Sequence, residues 1–192
     1  MQEPQIILAS ASPRRKKLLE QIGVSCLVAP VHINEIPGSA ELAENFVVRM
    51  ALEKASAGQA VNETNLPVLG SDTIVQINKQ ILGKPDNKQH ALDMLMALSG
   101  HSHQVLTAVA IVNDVKQQYL LNVTDVYFRK LKEKEILAYW ETREPVDKAG
   151  AYGIQGRAAQ FIERIDGSYS GVMGLPLFET AQLLKEFGVV SI

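Results

Sequence analysis

Short apolar runs and helical spacings alternate along this chain, so its sequence predicts strands and helices in turn. The short apolar run of residues 5–10 favours a buried strand, and residues 25–30 favour a second strand. Between them, Ser12 is a good N-cap, Pro13 suits the first helical position and Gly23 suits a helix end. The opening therefore predicts a strand, a helix and a second strand.

The next segments continue the alternation. Helical spacing predicts a helix that is capped by Ser39 and ends at Gly58. Residues 66–78 favour a strand interrupted at Gly70, and a turn and short strand follow. A further helix is predicted over residues 86–100, with Asp86 as part of a capping box.

The second half of the chain begins with two long β-branched runs, residues 103–113 and 118–129, joined by polar residues around Asp114. This pattern is typical of an antiparallel pair. Residues 132–144 then favour a helix, residues 158–168 a strand with a turn, and residues 176–188 a final amphipathic helix.

The order of these elements predicts a mixed α/β sheet flanked by helices. With 192 residues, the chain has the length of one domain, which we expect to span residues 1–192 and to contain two lobes. Apolar residues make up 46% and charged residues 21%, which excludes global disorder. The net charge of −2 argues against general binding to nucleic acid.

The cysteine content and the hydropathy pattern indicate the cellular compartment of the protein. Cys26 is the single cysteine and cannot form an internal disulfide, so no oxidising compartment is required. The sequence shows neither a basic leader followed by an apolar segment nor an apolar run of 18 residues. We therefore expect a cytoplasmic protein that does not bind membranes.

Four cations, Arg14 to Lys17, follow the cap of the first predicted helix. The helix dipole is positive there, so cations are misplaced unless an anion joins them. Free backbone amides and the hydroxyls of Ser10 and Ser12 would also favour a phosphate. Two interpretations stay open: a phosphate site with one or two cations turned inward, or a solvated basic patch.

A second candidate is the sequence "GSDT", in which Asp72 and Thr73 break an apolar strand. A carboxylate at this point can hold a divalent cation or orient a water molecule. It can equally be a turn-forming aspartate, and the residues alone favour the turn.

Two further segments are weaker candidates. Lys84 lies in a rigid Gly-Lys-Pro turn, where it can contact a phosphate as a point charge. Gln155 lies in the glycine-rich stretch 147–156, which permits close approach to a ligand or simply forms a turn. His101 and His103 have no zinc spacing and are expected at the surface.

Taken in order, these segments resemble the Maf family of nucleoside triphosphate pyrophosphatases. The matching pieces are "LASASPRRKKLL", "VVRMALEKA", "VLGSDTIV", "LGKP", "LSGHSHQVLTAVA", "VTDVYFR", "DKAGAYGIQG" and "GSYSGVMGLP". The resemblance is greatest to the branch that acts on dTTP and UTP. Ser71 is a departure, because alanine is common there in that branch.

The resemblance implies a fold similar to inosine triphosphate pyrophosphatases, with a central cleft between two lobes. The implied reaction converts a nucleoside triphosphate to the monophosphate and pyrophosphate with a divalent cation, Mg²⁺ or Mn²⁺. Asp72 would be the catalytic carboxylate, and Arg14, Thr73 and Gln155 would read the pyrimidine base.

From the resemblance and the chemistry together, we favour a metal-activated water that attacks the α-phosphorus. Asp72 would position this water, and Glu35 would be the second metal-binding carboxylate. The remaining predicted substrate-binding residues are Ser10, Ser12, Arg15, Lys54 and Lys84. The family also implies a homodimer. The alternative is a nucleotide-binding regulator of cell division or septum formation without useful catalysis.

Overall fold

The computed structural model describes residues 3–191. Its strands are β1 (Ile6–Leu8), β2 (Cys26–Val28), β3 (Val68–Ile77), β4 (Gln80–Leu82), β5 (Ser102–Val112), β6 (Gln117–Phe128) and β7 (Ile162–Asp166). Its α-helices are α1 (Pro13–Gln21), α2 (Ala43–Ala60), α3 (Lys88–Leu98), α4 (Glu133–Glu141), α5 (Tyr169–Val172) and α6 (Leu177–Glu186). Short 3₁₀ turns cover Glu144–Asp147, Ala149–Ala151 and Arg157–Phe161.

The strands form one seven-stranded mixed sheet in the order β2-β1-β3-β5-β6-β7, with β4 paired to β3. β1 runs parallel to both β2 and β3, whereas β4 is antiparallel to β3 and β7 is antiparallel to β6. β5 and β6 are neighbours joined by a tight turn, in which Asn113 N donates to Lys116 O at 3.0 Å. The predicted mixed α/β sheet with helices is confirmed.

The chain forms two compact units, and β3, β5 and β6 contribute residues to both. The first unit contains the residues up to Asp72, Thr107–Asn122 and the residues from Gly174 onward. β1 and the start of β3 are buried: Ile7, Ala9 and Val68 pack together and are at most 1% exposed. Such double-sided burial explains why β1 is a continuous aliphatic run in the sequence, whereas Leu27 and Val28 of β2 are exposed.

The second unit contains Thr73–Leu106 and Val123–Met173. Its core packs the inner faces of α3 and α4 against aromatic rings, among them Phe128 and Phe161 with centroids 6.2 Å apart. The two units correspond to the two predicted lobes, and the cleft predicted with them stays a prediction.

The largest error in the predicted elements concerns α2. The helix begins at Ala43 after the cap Leu42, not after Ser39, and it continues to Ala60. Glu41 explains the later start, because its carboxylate accepts hydrogen bonds from Gly38 N at 2.8 Å and from Arg49. Gly58 does not end the helix but is buried within it against Val68.

Gly70 does not interrupt β3, which continues from Val68 to Ile77. The glycine is required because α2 crosses the strand here: a β-carbon at Gly70 would overlap with Ala51 O and Ala55 N. The helix that follows is capped by Asn87, whose side chain accepts from His90 N at 2.9 Å, rather than by Asp86. Asp86 instead pairs with His90 Nδ1 at 2.9 Å.

The surface position predicted for His103 is wrong. His103 is only 3% exposed, its Nε2 lies 2.8 Å from the hydroxyl of Tyr152, and its ring packs edge-on against Phe128. His101 is exposed, as predicted. Throughout residues 3–191, none of the helices combines the length and apolarity that crossing a membrane requires.

Candidate active site

The start of α1 is built as the sequence predicts. Ser12 is the N-cap and its hydroxyl accepts from Arg15 N at 3.5 Å, while Pro13 occupies the first helical turn. Ser10, which is 8% exposed, accepts from Ser12 N at 3.2 Å. These bonds fix the loop between β1 and α1, so its hydroxyls lie at a helix N-terminus, where anions are favoured.

Arg15 turns inward from the first turn of α1. Its Nε donates to the carbonyl of Gly174 at 2.8 Å and its Nη1 donates to Ser10 Oγ at 3.1 Å. Burial lowers the pKa of this guanidinium, Asp72 and Glu35 oppose that shift, and Arg14 adds to it. Arg15 is thus a partly buried cation within electrostatic range of two carboxylates, held in one orientation by two hydrogen bonds.

The other three cations of this helix differ in their surroundings. Lys17 is exposed, and Lys16 is exposed with Nζ 3.6 Å from Glu20. Arg14 is half-buried and close enough to Arg15 to affect the pKa of that side chain. The structure therefore separates the two partly buried arginines, Arg14 and Arg15, from the two solvent-exposed lysines.

Lys54 joins the two carboxylates that the sequence singles out. Its Nζ lies 2.7 Å from Asp72 Oδ1 and 2.8 Å from Glu35 Oε1. Lys54 and Asp72 are each 8% exposed, whereas the side chain of Glu35 is 49% exposed. Asp72 lies two residues after Gly70, the point where α2 crosses β3 closely. Because Lys54 belongs to α2, this crossing brings its side chain to Asp72.

Ser71 and Gly174 connect this group to Arg15. The Ser71 hydroxyl lies 2.9 Å from Ala108 O and 3.0 Å from Gly174 O. The carbonyl of Gly174 therefore accepts a hydrogen bond from Arg15 Nε and also lies within hydrogen-bond distance of the Ser71 hydroxyl. No sequence pattern selects Gly174, because a backbone carbonyl leaves no residue-type signal.

The donor set at Asp72 and Glu35 fits a hard divalent cation. Both carboxylates already approach one positive charge, the Lys54 ammonium, and carboxylate oxygens are the ligands that Mg²⁺ and Mn²⁺ prefer. Within residues 3–191 there is no group of three or more His, Cys, Asp or Glu side chains arranged to hold a metal. Two carboxylates suit the Mg²⁺ sites that are completed by substrate phosphates and water.

Three predicted residues, Thr73, Lys84 and Gln155, belong to the second unit. Thr73 follows Asp72 directly on β3 and is half-buried. Lys84 is exposed after β4, beside Gly83, whose carbonyl accepts from Gly150 N at 3.0 Å. That bond joins the Lys84 turn to the glycine-rich stretch, on which Gln155 is exposed.

Two residues that hold the glycine-rich stretch were missed by sequence reasoning. Glu144 accepts hydrogen bonds from the Tyr139 hydroxyl, Arg157 N and Ala158 N, and neither Glu144 nor Tyr139 is among the predicted site residues. An acid directly before a proline and a glycine-rich segment was the available signal, but its partners are set by the fold.

Comparison with known proteins agrees with the resemblance in the sequence. The family model described as Maf-like protein matches residues 5–187. A dTTP/UTP pyrophosphatase of Alkalilimnicola ehrlichii is 52% identical over 191 residues, covering 97% of this chain and 94% of the relative. One of Aliivibrio fischeri is 51% identical over 189 residues, covering 96% and 99%.

Among solved structures, the Staphylococcus aureus Ham1 protein has a TM-score of 0.48 and 13% identity, covering 95% of this chain and 96% of that one. A likeness at this level supports no inference about function. The family match spans nearly the whole chain, and the two relatives are 52% and 51% identical to it. The chain therefore belongs to the Maf-like protein family.

Proposed function

We propose that this protein hydrolyses dTTP and UTP to the nucleoside monophosphate and pyrophosphate. The observation that carries the proposal is the convergence of Asp72 and Glu35 on Lys54, with Arg15 facing the same carboxylates. Cations and carboxylates in one partly buried group suit a triphosphate and the divalent cation that accompanies it. Relatives that are 52% and 51% identical carry the name dTTP/UTP pyrophosphatase.

The first unit supplies the groups that bind phosphate. The start of α1 offers backbone amides and the hydroxyls of Ser10 and Ser12, while Arg15 presents a fixed guanidinium. Lys54 adds a second cation beside Asp72. As the bond between the α-phosphorus and the bridging oxygen breaks, charge builds on pyrophosphate, and these cations stabilise it. Lys84 would add a further cation from its turn.

Asp72 would orient the attacking water. Among the described residues, Lys54 contacts Oδ1 alone, which leaves Oδ2 able to accept a hydrogen bond from a water molecule. The water forms a bond to the α-phosphorus, pyrophosphate leaves, and one proton is released. A divalent cation held by Asp72 and Glu35 would neutralise phosphate charge and acidify a coordinated water when bound.

Selectivity for uracil and thymine would come from Arg14, Thr73 and Gln155. These bases present two carbonyl acceptors around one N–H donor. The amide of Gln155 can donate and accept at once, and Arg14 and Thr73 can donate further. The homodimer and the cytoplasmic location inferred from the sequence stay predictions.

The proposal is tested with a panel of nucleoside triphosphates, each with Mg²⁺ or Mn²⁺, in which release of pyrophosphate is measured. We expect turnover of dTTP and UTP to exceed that of purine triphosphates, and chelation of the metal to stop it. Binding of these nucleotides without pyrophosphate release would contradict the proposal and support the regulator instead. Release of orthophosphate alone would also contradict it.

A further inference from the structure

The carboxylate of Glu144 lies beneath the glycine-rich segment that carries Gln155. Glu144 Oε1 accepts from the Tyr139 hydroxyl at 2.8 Å, and Oε2 accepts from Arg157 N at 2.9 Å. Oε1 also lies 3.5 Å from Ala158 N. One side chain thus satisfies the backbone amides two and three residues after Gln155, and two of its three donors are main-chain amides.

The same carboxylate fills the space that a side chain at position 156 would need. A β-carbon on Gly156 would overlap with both oxygens of Glu144, so any larger residue would displace the acid. Gly156 N donates to Gly153 O at 3.1 Å and closes a four-residue turn, in which Gln155 is the third residue. The turn therefore rests directly on Glu144.

The first residue of this turn, Gly153, is linked to Glu144 through the hydroxyl of Tyr139. Gly153 N donates to the Tyr139 hydroxyl at 3.3 Å, and that hydroxyl in turn donates to Glu144. Ile154 packs inward at 9% exposure, whereas Gln155 is exposed. Both flanks of the turn are fixed, and the residue left to project outward is Gln155.

We propose that Glu144 is a positioning residue that sets base selectivity by fixing the Gln155 turn. The inference rests on the proposed function, because it assumes that Gln155 reads the pyrimidine. Glu144 touches no substrate in this scheme. It acts by removing alternative conformations of the turn, so that the Gln155 amide is held ready for the base.

The test compares the wild type with Glu144→Gln, which keeps the volume but places an NH₂ group opposite a backbone donor. We expect the ratio of kcat/KM for dTTP over dCTP to fall about tenfold, as for one lost hydrogen bond to the base. KM for dTTP should rise while kcat stays within about twofold, since the reacting groups lie elsewhere.

The matched control is Glu135→Gln. Glu135 is another carboxylate of the second unit; it accepts from Arg129 at 2.8 Å and from Lys132 N at 3.0 Å, and neither of these partners belongs to the glycine-rich segment. This variant should keep the wild-type ratio. Equal effects of the two variants would overturn the inference.

A double-mutant cycle separates positioning from general loosening. In a Gln155→Ala background, Glu144→Gln should change the dTTP-to-dCTP ratio no further, because both act through one side chain. Additive losses would mean that Glu144 acts independently of Gln155 and would overturn the inference. Hydrogen exchange should show faster exchange of amides 153–158 in Glu144→Gln, and unchanged exchange would contradict the anchoring role.

If Glu144→Gln folds poorly, Tyr139→Phe serves instead. It removes the hydroxyl that bridges Glu144 and Gly153 but keeps the ring packed on Phe161, 5.2 Å between centroids. The same fall in selectivity is expected, smaller in size, and an unchanged ratio would count against the inference. A wild type inactive on dTTP and UTP would overturn the proposed function first, whereas an active, selective wild type with unaffected variants would overturn the positioning role alone.

Discussion

Lys54 and Asp72 form a buried ion pair in which Nζ lies 2.7 Å from Oδ1. Both residues are 8% exposed, so neither charge is well solvated without the other. A buried pair of this kind is weak as a source of stability, yet removing one partner leaves an uncompensated charge. The pair therefore couples the folding of the first unit to the chemistry proposed for Asp72.

Replacement of Lys54 by Met should destabilise the protein by about 3 kcal/mol, because Asp72 would stay buried without its partner. Urea unfolding measures the change. The control is Lys88→Met, which breaks the exposed pair with Glu141 at 2.7 Å and should cost less than about 1 kcal/mol. Similar losses in both variants would show that burial of the Lys54 pair is not decisive.

Replacement of Asp72 by Asn should abolish pyrophosphate release from dTTP while leaving the fold intact. The amide cannot orient water as a carboxylate does, and it is a poorer metal ligand. Stability should fall less than in Lys54→Met, since Lys54 keeps Glu35 at 2.8 Å. A variant that retains most of its activity would show that Asp72 has been assigned the wrong role.

Local signals in the sequence identify one end of the candidate site. The cap at Ser12 and the proline after it are determined by neighbouring residues, so α1 could be placed from the sequence. The pairing of Lys54 with Asp72 spans 18 positions along the chain, and no local pattern encodes it. Lys54 entered the predicted site through the family resemblance, and the structure supplies its partner.

The wrong prediction that Gly70 interrupts a strand also arises because contacts between distant parts of the chain have no local signal. Gly70 resembles a strand breaker because its neighbours in sequence are apolar, but its role is set by α2 crossing the strand. The burial of His103 also depends on distant residues, Tyr152 and Phe128, that close around it. Sequence patterns locate elements well, while close contacts between elements require the fold.

Gly70→Ala should destabilise the protein by at least about 2 kcal/mol, since the new methyl group would overlap with main-chain atoms of α2 that cannot move independently. Thermal and urea unfolding measure the loss. Gly83→Ala is the control, because a β-carbon there meets nothing within 4 Å, and a change within about 0.5 kcal/mol is expected. Equal stability of the two variants would contradict the close crossing.

Arg15→Lys should raise KM for dTTP about tenfold although the charge is kept. Lysine lacks the planar fork by which Nε and Nη1 of Arg15 hold Gly174 O and Ser10 Oγ, so the cation loses its fixed orientation. Steady-state kinetics at constant ionic strength measure the effect. Lys17→Gln removes an exposed charge and should leave KM nearly unchanged. If Lys17→Gln raised KM as much as Arg15→Lys does, the four cations from Arg14 to Lys17 would act as a diffuse basic patch.

Stability should fall as the pH is lowered from 7 to 5 because of His103. Burial lowers the pKa of this histidine from 6.5 to about 4, so the folded protein keeps it neutral where the unfolded chain would be protonated. The unfolded state then binds more protons between these two values, and stability must decrease as the pH falls through that window. The expected loss between pH 7 and pH 5 is about 2 kcal/mol.

Substitution of His103 by Gln should remove most of this pH dependence, because the titrating group is gone, even though the bond to Tyr152 at 2.8 Å is altered and stability at pH 7 falls. Urea unfolding at pH 7, 6 and 5 measures the slope for each variant. His101→Gln, at an exposed position two residues away, should keep the wild-type slope. A slope that survives in His103→Gln would assign the acid sensitivity to other groups and would contradict the burial of a neutral imidazole in the second unit.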